Sequence, residues 1–116
     1  MKLIIVRHGR SNRLKYDRYS RKFDAELDSN YLDLLQDTKK YCEEINDFSL
    51  LSSKASRCTQ TLEHLFHKRY AQPLIIKEFI PYCVGELEDK KDSWVRDNHR
   101  EYYKSSYQSS NLYLIL

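Results

Sequence analysis

The chain opens on an unbroken apolar run, Leu3-Ile4-Ile5-Val6, and meets Arg7-His8-Gly9 at once. A run this short and β-branched reads as a buried parallel strand over Lys2 to Val6. From Asn12 to Glu26 the sequence is polar, rich in Arg and Lys and without a sustained period, which predicts a loop with a short helix. Helical spacing then links Tyr31, Leu34, Leu35, Thr38, Tyr41, Cys42, Ile45 and Phe48, so a helix capped by Asp28 or Ser29 is expected to run to about Asp47. Phe48 to Ser52 suits a short strand. Ser53 can cap a second helix with Ala55, Cys58, Leu62, Leu65 and Phe66 on its apolar face, ended by Pro73, and Leu74 to Ile76 reads as a third strand.

Beyond Pro81 the pattern weakens. Ser93 to Tyr103 has helical spacing, with Trp94, Val95, Asn98 and Tyr102 on one side. Ser105 to Asn111 reads as a polar, serine-rich linker before the apolar tail Leu112 to Leu116. Strand, helix, strand, helix, strand is the order of β-α-β crossovers and a parallel sheet. In such folds ligands bind beyond the carboxyl ends of the strands, where Arg7, His8 and Gly9 stand. A glycine there permits a sharp turn or close approach to a ligand, and Ser11 can open a helix whose N–H groups attract an anion.

At 116 residues one domain with a modest core is expected. Charged residues make up 32% of the chain but the net charge is only +3, a balance that fits a globular protein and points to neither nucleic acid nor membrane. Ten tyrosines among scattered Lys and Arg raise base stacking as a role. No basic run or RNA-binding signature accompanies them, so packing at the edge of the core is the reading adopted. Cys42, Cys58 and Cys83 lack a C-x-x-C pattern and read as small core residues in a reducing compartment. The opening run is too short for a secretory segment and no stretch is long enough to cross a bilayer, so a cytoplasmic location is expected. His64 and His67 stand one helical turn apart without a third ligand, which suits an exposed helix face better than a metal site.

A second polar segment, Ser52-Ser53-Lys54-Ala55-Ser56-Arg57-Cys58-Thr59-Gln60-Thr61, lies at a strand-to-helix junction. With Arg7-His8-Gly9-Arg10-Ser11 it resembles the histidine phosphatase superfamily, the phosphoglycerate mutase-like proteins. Those carry Arg-His-Gly-acidic-Ser/Thr after the first strand and Ser-Ser…Arg-x-x-Gln-Thr at a later junction. Arg7, His8, Gly9 and Ser11 fill the first motif; Ser52, Ser53, Arg57, Gln60 and Thr61 fill the second. The resemblance covers about residues 1 to 90. It implies a three-layer α/β/α fold with a mainly parallel sheet, here C-terminally truncated, as a single incomplete domain over 1–116.

The resemblance implies phosphoryl transfer to His8 as nucleophile, with no cofactor and no metal. Such transfer needs a neutral imidazole held in one tautomer, its other nitrogen donating to a backbone carbonyl, and cations around the phosphoryl oxygens. Arg7 and Arg57 offer planar forks for phosphate, and Arg57 projects away from the apolar stripe of its helix. Ser11, Gly9 and Asn12 are the further phosphate-binding candidates, whereas Gln60 and Thr61 are expected to support helix packing. Arg10 replaces the acidic or amide residue usual in the family, and Leu14 stands where an Asn is frequent. A leaving alcohol needs a proton, for which Glu78 is the first candidate and Glu86 the reserve. The plainer readings stay open: His8 as a satisfied core residue, Arg57 in a surface salt bridge, and the two glutamates as solvated loop charge.

The family's later Ser/Gly-His-Gly motif has no counterpart. The Lys2–Val6 strand is then expected to have an unpaired edge, left by a truncation or filled by Leu112–Leu116 from its own subunit or a partner's. Three functions follow: a phosphomonoester hydrolase, an inactive phosphate-binding or interaction module of the same fold, and a phosphoprotein phosphatase. The expected partner is a phosphorylated small molecule or a phosphoprotein, with a homodimer possible through the sheet edge or the tail.

Overall fold

The computed structural model describes residues 1–17, 19, 24–79, 85–88 and 90–108, with the backbone alone for 14 and 106–108. The sequence expectations for Cys83 and for the tail Leu112–Leu116 lie outside these residues. The described part is a mixed α/β structure with β1 (Leu51–Ser52), β2 (Leu74–Ile75), α1 (Gln36–Glu43), α2 (Ser56–Phe66), α3 (Asp92–Asn98) and α4 (Arg100–Gln108). It divides into two compact units, one of Met1–Asn12 and Asp24–Tyr82, the other of Arg13–Phe23 and Cys83–Leu116.

In the first unit β1 and β2 pair in parallel, Leu51 with Leu74 and Ser52 with Ile75, and α2 connects them as a βαβ unit. The core beside them is Leu35, Cys42 and Leu65, joined by Val6, Leu32 and Phe66. Burial pushes the Cys42 thiol pKa up, in keeping with a packing role.

Lys2 to Val6 is not a strand. Leu3 is 72% and Ile5 57% exposed, and only Val6 reaches the core cluster. A parallel strand needs ladder neighbours and a layer on each face. Among the described residues the sheet consists of β1 and β2 alone, so the apolar run has no ladder to join.

Asp28 does cap the next helical segment, its carboxylate accepting from the Asn30 N–H at 3.0 Å. The first part, Ser29–Leu35, is nevertheless 3-10 with a kink at Tyr31, and α1 ends at Glu43 rather than near Asp47. Three residues per turn instead of 3.6 rotates the apolar stripe. Leu34 and Tyr41 therefore face solvent, while Leu35 and Cys42 are buried. The C-terminal carbonyls of this helix are met by Arg69, which donates to the oxygens of Cys42, Glu43 and Ile45 and lies over the Phe48 ring.

Helix α2 ends at Phe66, well before Pro73, where the chain enters a 3-10 turn whose first residue, His67, has φ +43°. Its N-terminus is capped from afar. The Asp24 carboxylate accepts the Ser56 N–H at 2.8 Å and the Ser56 hydroxyl at 2.5 Å. Ser53 instead closes a local turn, its hydroxyl accepting from the Ala55 N–H at 3.2 Å.

The second unit is built on Tyr19 and Val95, with Leu87 and Tyr103 packed against them. The expected single helix over Ser93 to Tyr103 is two, broken at His99, whose ring sits 5.4 Å from that of Trp94. The Asp17 carboxylate holds the first turn of α3 through the Ser93 N–H and hydroxyl, at 2.9 and 2.8 Å. The expected linker from Ser105 begins inside α4, which continues to Gln108. No helix among the described residues is long and apolar enough to cross a membrane.

Candidate active site

His8 stands two residues past the apolar N-terminal run and is half-buried. Its Nδ1 lies 2.7 Å from the Gly9 carbonyl oxygen. Its Nε2 receives the Arg57 Nε–H at 3.2 Å. A carbonyl only accepts and a guanidinium only donates, so these two contacts define the tautomer: Nδ1 carries the proton and Nε2 presents its lone pair toward Arg57.

Arg57 belongs to the first turn of α2. Its place is set by the Asp24 cap on Ser56 and by the short stretch from β1 into the helix. Two neighbours on the same helix hold the loops around His8. Thr61 is buried; its hydroxyl accepts the Gly9 N–H at 2.9 Å and donates to the Arg57 carbonyl at 2.6 Å. The Gln60 side-chain oxygen accepts the Leu27 N–H at 2.7 Å.

Gly9 is buried because of what surrounds it. A Cβ at this position would stand 2.6 Å from Leu27 Cδ1 and 2.9 Å from Leu35 Cδ1. The chain after it pairs with the returning segment: Asn12 N–H donates to Glu26 O at 2.9 Å, Asp28 N–H to Arg10 O at 2.8 Å, and Ser11 forms an antiparallel bridge with Leu27.

The structure thus gathers His8, Gly9 and Arg57 with Gln60 and Thr61. Arg7 is exposed immediately before His8. Arg10 lays its guanidinium over the Tyr31 ring at 3.8 Å. Ser11 and Asn12 are half-buried, and Asn12 Oδ1 is buried without a hydrogen-bond partner among the described residues. Ser11 is followed by a 3-10 turn of five residues, Asn12–Tyr16, and not by an α-helix.

Glu78 is exposed in the turn after β2. Because β1 and β2 are parallel, this turn and the one leading to Arg57 leave the same edge of the sheet. Glu86 is exposed on a 3-10 turn, Gly85–Leu87, in the other unit. His64 is half-buried on α2 and His67 exposed in the turn beyond it, and no cluster of metal-ligating side chains occurs among the described residues.

Asp24 and Leu27 escaped sequence reasoning. Both act across more than thirty positions of chain, Asp24 through Ser56 and Leu27 through Gln60, and the polar stretch that holds Asp24 has no period to mark it. The signal for Gln60 and Thr61 was their place in the second motif.

Compared with protein families, the chain matches the histidine phosphatase superfamily (branch 1) over residues 3–114, and it belongs to that family. The match continues past residue 90, where the two motifs alone had placed its end. Neither the curated proteins nor the solved structures contain a match to this chain.

Proposed function

We propose that this protein is a phosphomonoester hydrolase working through a phosphohistidine on His8. The observation that carries the reading is the imidazole held between the Gly9 carbonyl and the Arg57 guanidinium. It leaves Nε2 as the nucleophilic nitrogen, beside a cation suited to phosphoryl oxygens. Family membership and the βαβ unit support reading the fold as a three-layer α/β/α arrangement with a mainly parallel sheet.

In the first half-reaction the hydrogen bond of the Arg57 Nε–H passes from Nε2 to a phosphoryl oxygen, and the freed Nε2 lone pair forms a bond to phosphorus while the bond to the ester oxygen breaks. The leaving oxygen takes a proton from a carboxylic acid, which we assign to Glu78 because it leaves the same sheet edge as Arg57. In the second, water attacks phosphorus, gives its proton to that carboxylate, and releases phosphate and the original imidazole tautomer. Arg57 and Arg7 supply the positive charge around the transferring group, with Ser11, Gly9 and Asn12 as further contacts. The substrate class is a phosphorylated small molecule, or a phosphoprotein presenting phosphohistidine or phosphotyrosine.

One observation favours a second reading. The Nε2 lone pair of His8 is taken up by the Arg57 Nε–H, which fits a phosphate-binding module that performs no chemistry. Turnover of a generic aryl phosphate without added metal, wild type beside His8→Ala, separates the two. Turnover abolished by the substitution is the expected result. Equal background rates, with phosphate still raising the wild-type melting temperature, would establish the binding module.

A further inference from the structure

Four hydrogen bonds close on themselves at this site. His8 Nδ1–H donates to Gly9 O, Gly9 N–H to Thr61 Oγ1, Thr61 O–H to Arg57 O, and Arg57 Nε–H to His8 Nε2. The carbonyls of Gly9 and Arg57 only accept and the Gly9 N–H and Arg57 Nε–H only donate, which fixes the roles of the hydroxyl and of the two ring nitrogens between them. Thr61 is the member that makes it a circuit. Its hydroxyl oxygen is the one atom in it that both accepts and donates, and the residue is 2% exposed.

We propose that Thr61 is a positioning residue for His8, its hydroxyl holding the Gly9 backbone and the Arg57 turn so that the imidazole stays in the Nδ1–H tautomer with Nε2 at the guanidinium. Gly9 is the reason an anchor is needed. The carbonyl that sets the tautomer belongs to the residue type with the widest choice of φ and ψ, and Thr61 holds the N–H of that same residue. Back-bonding of a Thr hydroxyl to the carbonyl four residues earlier is a local habit of helices. Acceptance of an N–H 52 positions away is not. The role of Thr61 in turnover rests on His8 being the reacting group; its role in setting the tautomer does not.

The test compares wild type, Thr61→Val and Thr61→Ser. Valine keeps the shape and removes the hydroxyl; serine keeps the hydroxyl. Imidazole ¹⁵N shifts of His8 report the tautomer, and aryl phosphate turnover reports the consequence. The expected result is a single Nδ1–H tautomer in wild type and Thr61→Ser and a mixture in Thr61→Val. With it should come a kcat loss of about tenfold to a hundredfold at little changed KM, restored by serine. A folded Thr61→Val with the wild-type tautomer overturns the proposal. If valine prevents folding, Thr61→Ser decides: a single tautomer supports the proposal and a mixture overturns it. Should the wild type show no turnover, the phosphatase reading fails while the ¹⁵N shifts still judge Thr61.

Discussion

Arg57 donates its Nε–H to Nε2 of His8 at 3.2 Å, although 49 positions separate the two residues. The contact joins the end of the N-terminal apolar run to the first turn of α2, and it brings together both sequence motifs. A guanidinium presents a rigid planar fork, whereas an ammonium is a point charge on a flexible stem. Arg57→Lys is therefore expected to lose most of the activity that Arg57→Ala loses, with kcat/KM for an aryl phosphate falling about a hundredfold or more. Steady-state kinetics on the two variants check this; a lysine variant near wild type would show that charge alone suffices.

Gly9 is fixed by packing. An added methyl would press on Leu27 and Leu35 at 2.6 and 2.9 Å, and Leu35 belongs to the buried cluster with Cys42 and Leu65. Gly9→Ala is expected to cost about 1 kcal/mol, since the nearest atoms are leucine methyls that can yield part of the way. At this chain length that lowers the melting temperature by about 4 °C. Shortening one neighbour in the double variant Gly9→Ala, Leu27→Ala should make the two changes less than additive. An unchanged melting temperature in the single variant would mean that the pocket around Gly9 is looser than described.

His64 links stability to pH. Its Nε2 is buried without a hydrogen-bond partner among the described residues. Burial first, then the charges of Lys39 on α1 and of His67, hold its pKa below the ordinary value of 6.5. The folded protein then binds fewer protons at this position than the unfolded chain. Its contribution to stability is full above pH 6.5 and is lost as pH falls through the lowered folded value. Melting temperatures measured from about pH 7 down to about pH 5 should fall more steeply for wild type than for His64→Gln. Identical slopes would exclude His64 as the source.

The polar half of the site was more legible in the sequence than the apolar scaffold under it. His8, Arg57 and Thr61 stand in short motifs whose spacing is local, and the structure brings those residues together. The scaffold depends on partners that spacing does not show. Leu3-Ile4-Ile5-Val6 has the composition of a buried strand, yet a strand is defined by its neighbours, and the described sheet stops at two. Tyr31 to Phe48 has helical spacing, but the 3-10 opening and the kink at Tyr31 turn Leu34 and Tyr41 outward. The α2 cap illustrates the same limit. Ser53 was the local candidate, and Asp24, a carboxylate 32 positions before Ser56, took the role.

If the phosphoryl group passes through His8, it can be trapped there. The protein is mixed briefly with an aryl phosphate, quenched at alkaline pH to preserve a phosphorus–nitrogen bond, and analysed by peptide mass spectrometry. One phosphoryl adduct is expected, located on His8 and absent from His8→Ala. Turnover that depends on the protein with His8 never modified, or an adduct on another residue, would contradict passage through His8.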